Sequence, residues 1–258
     1  MDKYNVYQDM SRRTGGEIYL GIVGPVRTGK STFIKRFMEL VVIPEMSDDN
    51  EKVRTIDELP QSADGKTIMT TEPKFIPKEA AVIHFSNQET GKIRLIDCVG
   101  YLVPEAVGAI EEEKERMVKT PWSEEEIPFS KAAEIGTSKV IREHSNLGLI
   151  ITTDGSFGDI PAVNFEEALQ KTVMECEKAG KPFLILVNTS RPDSQETIQF
   201  TKRLEAQYGK TVMAVNCKTM DREDVFRIME QLLADFPITR LNFLLPKWVE
   251  FLQPDNWL

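Results

Sequence analysis

The residues with the most chemical potential lie between Gly24 and Thr32. Gly24-Pro25-Val26-Arg27-Thr28-Gly29-Lys30-Ser31 is a G-x-x-x-x-G-K-S run, followed by Thr32. Two glycines at this spacing let the backbone wrap so that successive N–H groups face phosphate oxygens. Lys30 brings a positive charge to the β- and γ-phosphates, and Ser31 offers a hydroxyl to Mg²⁺. The flanks suit a phosphate loop. Ile18-Tyr19-Leu20-Gly21-Ile22-Val23 predicts a short buried strand, and Phe33, Ile34, Phe37, Met38 and Val41 recur at helical spacing from Thr32 to Val42. A helix starting there adds the positive end of its dipole to the site.

A second motif stands at the end of a different strand. Ile93 to Asp97 predicts that strand, and Asp97-Cys98-Val99-Gly100 is D-x-x-G. Asp97 can orient a water on Mg²⁺, and the Gly100 N–H can meet the γ-phosphate. Between the two motifs, Thr67-Ile68-Met69-Thr70-Thr71-Glu72-Pro73 lies in a long connection. Thr70 or Thr71 is a candidate for completing Mg²⁺ coordination and sensing the γ-phosphate. The sequence leaves open which of the two does so. Arg27, inside the first loop, can neutralise charge that develops during phosphoryl transfer, or can contact solvent or an acidic partner.

The elements that position these residues follow in order. Residues 1–16 read as a polar lead-in, 17–236 as one nucleotide-hydrolase domain, and 237–258 as an apolar tail that either packs back on the domain or, as the favoured reading, leads to a further domain. Ile43 to Lys78 reads as irregular because of its Pro, Asp, Asn and Gly content. Ala81 to Phe85 and Ile93 to Asp97 read as an antiparallel pair. Tyr101 to Ser130 reads as a second irregular region whose acidic runs, Glu111 to Glu115 and Glu124 to Glu126, form a solvated face or an acidic contact. Helices over Phe129 to His144, Asn164 to Ala179, Ser194 to Tyr208 and Asp221 to Phe236 then alternate with strands at Leu147 to Thr153, Phe183 to Asn188 and Thr211 to Asn216. That alternation predicts an α/β fold with a mainly parallel sheet, one antiparallel strand and helices on both faces.

Composition narrows the function classes. The 258 residues carry a net charge of −9, which argues against a nucleic-acid protein relying on a general basic surface. Cys98, Cys176 and Cys217 lack metal-ligand spacing and read as reduced, buried thiols. His84 reads as a strand residue rather than a catalytic base. The N-terminal stretch does not read as a signal peptide, and no apolar run approaches the ~20 residues of a membrane span, so any membrane contact is expected to be peripheral.

The element order, with its antiparallel pair after the first helix, resembles the Ras-like branch of P-loop nucleotide hydrolases. Arg27 stands where guanylate-binding large GTPases carry an internal arginine finger; some related enzymes have a potassium-holding asparagine there. No glutamine follows Gly100; Tyr101 stands in its place, which implies slow or assembly-stimulated hydrolysis. GTPases read guanine with N-K-x-D, whereas this chain has Asn188-Thr189-Ser190-Arg191-Pro192-Asp193. The lysine is missing and the aspartate is displaced by two residues. Asn188 and Asp193 remain candidates for nucleotide contact, and ATP becomes the expected nucleotide, with mixed specificity as the alternative. Asn216-Cys217-Lys218 only loosely matches the remaining guanine-contact loop.

Over essentially its whole length the sequence resembles the N-terminal nucleotide-hydrolase domain of the stage IV sporulation protein A family. The P-loop, the Thr-Ile-Met-Thr-Thr-Glu-Pro segment, Leu-Ile-Asp-Cys-Val-Gly-Tyr and Val-Asn-Thr-Ser-Arg-Pro-Asp carry that likeness. The resemblance implies an Mg²⁺-dependent ATPase whose hydrolysis drives self-association into a static cytoskeletal polymer. That polymer forms the base layer of the spore coat, on the mother-cell side of the forespore surface. The resemblance also implies docking on a small amphipathic membrane peptide and on other spore coat proteins, mainly through more C-terminal parts. The competing reading is a GTP-dependent switch whose hydrolysis a partner completes.

Overall fold

A computed structural model describes residues 14–60, 72–84, 90–106, 110–111 and 114–234. Six strands form the main sheet. They are β1 (Glu17–Val23), β2 (Lys74–His84), β3 (Thr90–Asp97), β8 (Leu147–Thr153), β9 (Phe183–Asn188) and β10 (Val212–Val215), in the order β10-β9-β8-β1-β3-β2. Only β2 runs antiparallel, against β3; the other pairings are parallel. Every residue of β9 is buried, as expected of a strand covered on both faces.

The register lines up the chemistry. Ile22 pairs with Asp97, Thr153 with Asn188 and Asn188 with Val215, so the carboxyl ends of five parallel strands share one edge. Ligands of open α/β sheets bind at that edge.

Helices cover both faces. On one side α1 (Lys30–Phe37) and α6 (Arg222–Ala234) bury Phe33, Phe37, Val225, Ile228, Met229 and Leu232. On the other, α3 (Phe129–Lys139) with its π turn (Val140–His144), α4 (Glu166–Ala179) and α5 (Gln195–Tyr208) contribute Val140, Ile141, Leu169, Val173, Cys176 and Leu204. Local signals set the ends: Ser194 Oγ accepts from Thr197 N at the start of α5, and Gly209, at φ 61°, closes it.

Two expectations change. The connection from Ile43 to Lys78 is not irregular throughout. It holds α2 (Asp49–Glu58), whose N-cap Asp48 accepts from Asn50 N at 2.8 Å, and β2 begins at Lys74. The cap and the helix formers of Glu51 to Glu58 outweigh the flanking prolines. The region from Tyr101 to Ser130 carries two short antiparallel hairpins. One is β4 (Ile110–Glu111) with β5 (Lys114–Glu115); the other is β6 (Met117–Thr120) with β7 (Ser123–Pro128), turning at Pro121-Trp122. Glu125 and Glu126 are exposed on β7, as a solvated acidic face requires. Thr70, Thr71, the stretch 235–258 and most of 1–16 lie outside the described residues.

Candidate functional site

The P-loop emerges from β1 at Val23 and ends at α1. Three glycines with positive φ fix its path. A Cβ on Gly24 (φ 129°) would sit 2.3 Å from Ile151 O, and one on Gly29 (φ 94°) would sit 2.3 Å from Asn188 Nδ2. On the D-x-x-G side, a Cβ on Gly100 (φ 92°) would sit 2.0 Å from Gly24 O and 2.8 Å from Lys30 Nζ. At Gly24 and Gly100 the obstacle is backbone and no side chain larger than hydrogen fits, whereas at Gly29 it is the Asn188 side chain. Arg27 takes φ 62° without being glycine, a geometry that costs roughly 1–3 kcal/mol and that the tight loop imposes; its side chain is exposed.

The loop is tied down from both flanks. Val26 N donates to Tyr101 O at 2.9 Å, directly after the D-x-x-G motif. Val26 and Tyr101 then pack with Val103, Ile160, Phe165 and Ala168 in a small third core above the sheet edge. Within the loop, Thr28 Oγ1 donates to Pro25 O at 3.0 Å. Lys30, only 5% exposed, donates from Nζ to Gly24 O at 3.3 Å and Pro25 O at 2.5 Å.

The electrostatic centre is the group Lys30, Ser31 and Asp97. Ser31 Oγ donates to Asp97 Oδ2 at 2.9 Å, while Asp97 Oδ1 is buried with no hydrogen-bond partner. Burial raises the Asp97 pKa, and the Lys30 ammonium and the Ser31 hydroxyl pull it back. Burial lowers the Lys30 pKa, opposed by neighbouring Cys98 and Asp97. A half-satisfied carboxylate beside a hydroxyl is an all-oxygen donor set of the kind Mg²⁺ takes, with its other positions left to water and phosphate. Among the described residues no cluster of three or more His, Cys, Asp or Glu side chains could hold a metal by itself.

The structure therefore brings together Gly24 to Thr32, Asp97 and Gly100. It places Asn188 between the P-loop and the loop after β10. The Asn188 amide is committed to protein: Nδ2 donates to Thr28 O and Oδ1 accepts from Cys217 N, both at 3.0 Å. It clamps the P-loop to the loop after β10. Asp193 is exposed in the turn before α5. Thr189 is also a brace, donating from Oγ1 to Asp154 Oδ2 at 2.6 Å. The Tyr101 carbonyl and the Thr189–Asp154 pair carry no sequence signal, since a backbone acceptor is independent of residue type and Thr189 meets Asp154 only through the pairing of β8 with β9.

A six-stranded sheet with a P-loop between its first strand and helix, and an acidic D-x-x-G on the adjoining strand, defines a P-loop nucleotide hydrolase of Ras-like layout. Comparison with known proteins narrows the class. Residues 1–237 match the family described as stage IV sporulation protein A, ATPase domain, and the chain belongs to that family. It is 50% identical over 258 residues to the stage IV sporulation protein A of Bacillus subtilis (strain 168). It is 48% identical to that of Bacillus anthracis over the same length, and 47% identical over 254 residues to that of Clostridioides difficile (strain 630). Those alignments cover 98–100% of this chain and 52% of each relative, so the chain spans about half the length of the curated relatives it matches. Among the described residues no helix is long and apolar enough to cross a membrane.

Proposed function

We propose that this domain binds ATP in the P-loop and hydrolyses its terminal phosphate to ADP and phosphate. The observation that carries the reading is the Ser31–Asp97 pair, with one carboxylate oxygen buried and unpaired beside the lysine of a phosphate loop. Ser31 and Asp97 would hold Mg²⁺, with Thr70 or Thr71 completing its shell; bound there, the ion neutralises phosphate charge. Lys30 would exchange its bonds to Gly24 O and Pro25 O for β- and γ-phosphate oxygens. The Gly100 N–H would face the γ-phosphate. Arg27, at the exposed crest of the loop, would stabilise charge that builds on the transferred group.

The attacking water lacks one customary helper. Tyr101 follows Gly100, is 7% exposed and packs into the third core. Burial also raises its phenol pKa, so the side chain stays neutral. Slow intrinsic turnover, accelerated when copies assemble, fits that placement.

The resemblance to stage IV sporulation protein A extends the proposal. Hydrolysis would drive self-association into a static polymer, the base layer of the spore coat on the mother-cell side of the forespore surface. Docking on a small amphipathic membrane peptide and on other coat proteins would fall mainly to parts beyond this chain. The experiment is ATP turnover per molecule across a range of protein concentrations, paired with sedimentation. Turnover per molecule that rises as sedimentable material appears supports assembly-coupled hydrolysis; constant turnover with no sedimentation removes the assembly role from this domain.

A further inference from the structure

Helix α2 is built inside out. Val53 and Ile56, three residues apart and so on one face, are 59% and 51% exposed, while the polar Thr55 beside them turns inward and is 3% exposed. The helix is pinned in this orientation. Asp48 caps its start, Lys78 N donates to Glu58 Oε2 at 2.9 Å, and Leu59 just past its end enters the core beneath α1 and α6. Two large apolar side chains are thus held in water at fixed helical spacing, the anchor pattern of a helix that docks in a groove.

A groove of matching character lies on the opposite face of the sheet. It has a volume of about 410 Å³ and runs between α4 and α3 with its π turn. Tyr101, Ile135 and Met174 give it apolar surface, and Met174 is exposed. Around them stand three cations, Arg142, Lys171 and Lys178, and two carboxylates, Glu134 and Glu175. Glu175 is shared by Arg142 Nη2 at 2.9 Å and Lys178 Nζ at 3.4 Å, so positive charge is in excess. On α2 the balance is reversed: Asp49, Glu51, Asp57 and Glu58 outnumber Lys52 and Arg54. Apolar anchors and charges of opposite sign suit the two surfaces to each other.

They cannot meet within one molecule. Helix α2 packs with the α1 side of the sheet, and the helices of the groove pack on the other side. A contact between them joins different copies. Because the two surfaces differ, it runs head to tail and adds copies without closing a pair.

We propose that the Val53–Ile56 face of α2 on one copy of this chain docks in the α3–α4 groove of the next. The inference rests on the assembly-coupled hydrolysis proposed above and gives that coupling a route. Tyr101 lines the groove, directly follows Gly100, and accepts at its carbonyl from Val26 N of the P-loop at 2.9 Å. A side chain seated against Tyr101 fixes the segment that faces the γ-phosphate, so the copy whose groove is filled hydrolyses faster.

The test uses two variants at exposed positions, Ile56→Glu on the helix and Met174→Glu in the groove, with sedimentation in Mg²⁺-ATP. Neither residue belongs to the nucleotide site, so wild-type affinity for ADP certifies that each variant folds. Each alone should need on the order of 10- to 100-fold more protein than wild type to sediment, and Val53→Glu should behave as Ile56→Glu does. Mixed in equal amounts, the two variants should form pairs that grow no further. Ile56→Glu keeps a sound groove and Met174→Glu a sound helix, while the two altered surfaces carry like charge and repel. Turnover per molecule in the mixture should exceed that of either variant alone. Variants that assemble as wild type does, or a mixture that stays unpaired, overturn the interface and leave assembly standing. A wild-type protein that associates at no concentration removes assembly itself, and the interface with it.

Discussion

Ser31 and Asp97, 66 residues apart in sequence, meet through a single hydrogen bond of 2.9 Å from Ser31 Oγ to Asp97 Oδ2. The bond joins the first turn of α1 to the end of β3. It exists because β1 and β3 are parallel neighbours, with Ile22 opposite Asp97, so the loop leaving one strand passes the last side chain of the other. It holds one carboxylate oxygen and leaves the other buried and available. Phosphate loop and acidic strand end thus form one site.

Asn188 is the clamp on the opposite flank, 7% exposed and bonded to Thr28 O and Cys217 N. Asn188→Ala leaves a buried carbonyl and a buried N–H without partners. Urea unfolding should show a loss of about 2–4 kcal/mol. Nucleotide affinity should also fall, because the P-loop loses its brace.

Gly100→Ala places a methyl against Gly24 O and Lys30 Nζ on a backbone with φ 92°. Turnover should fall to background, and the melting temperature should drop by several degrees, at about 4–8 °C per kcal/mol for a small domain and less for one of this size. Gly158→Ala is the control. It has positive φ but nothing within 4 Å of the added carbon, so it should cost stability alone.

The strand runs, the P-loop and the D-x-x-G were legible because their signals are contiguous. Ser194 and Gly209 gave the ends of α5 for the same reason. Two kinds of feature were hidden. Helix α2 sits among prolines and acids whose loop character outweighed the cap at Asp48. The role of Asn188 depends on residues 28 and 217, which only the sheet order brings together.

Burial pushes the thiols of Cys176 and Cys217 from 9.0 up to about 12. The unfolded chain therefore loses these protons first as pH rises. Their stabilising contribution is complete below about pH 9 and is lost progressively toward pH 12. The urea midpoint should fall between pH 8 and pH 11, and fall less in a Cys176→Ala, Cys217→Ala double variant. At pH 8 the folded protein should resist iodoacetamide, whereas the unfolded chain should be alkylated at all three cysteines.

Thr70→Ala with Thr71→Ala should spare nucleotide binding and abolish turnover, as loss of a γ-phosphate sensor requires; wild-type hydrolysis in the double variant would remove both residues from the site. Arg27→Ala should slow turnover by roughly 10³-fold if the guanidinium acts on the transition state. An unchanged rate would return Arg27 to a surface role.

The most direct measurement is phosphate release from ATP and from GTP, with Mg²⁺, by the wild-type protein and by Asp97→Asn, alongside nucleotide affinity. ATP should be the better substrate. Asp97→Asn should retain nucleotide but hydrolyse it on the order of 10²–10³-fold more slowly. Asp97→Asn turning over ATP at the wild-type rate, or GTP outpacing ATP in the wild-type protein, would contradict an ATPase centred on Asp97.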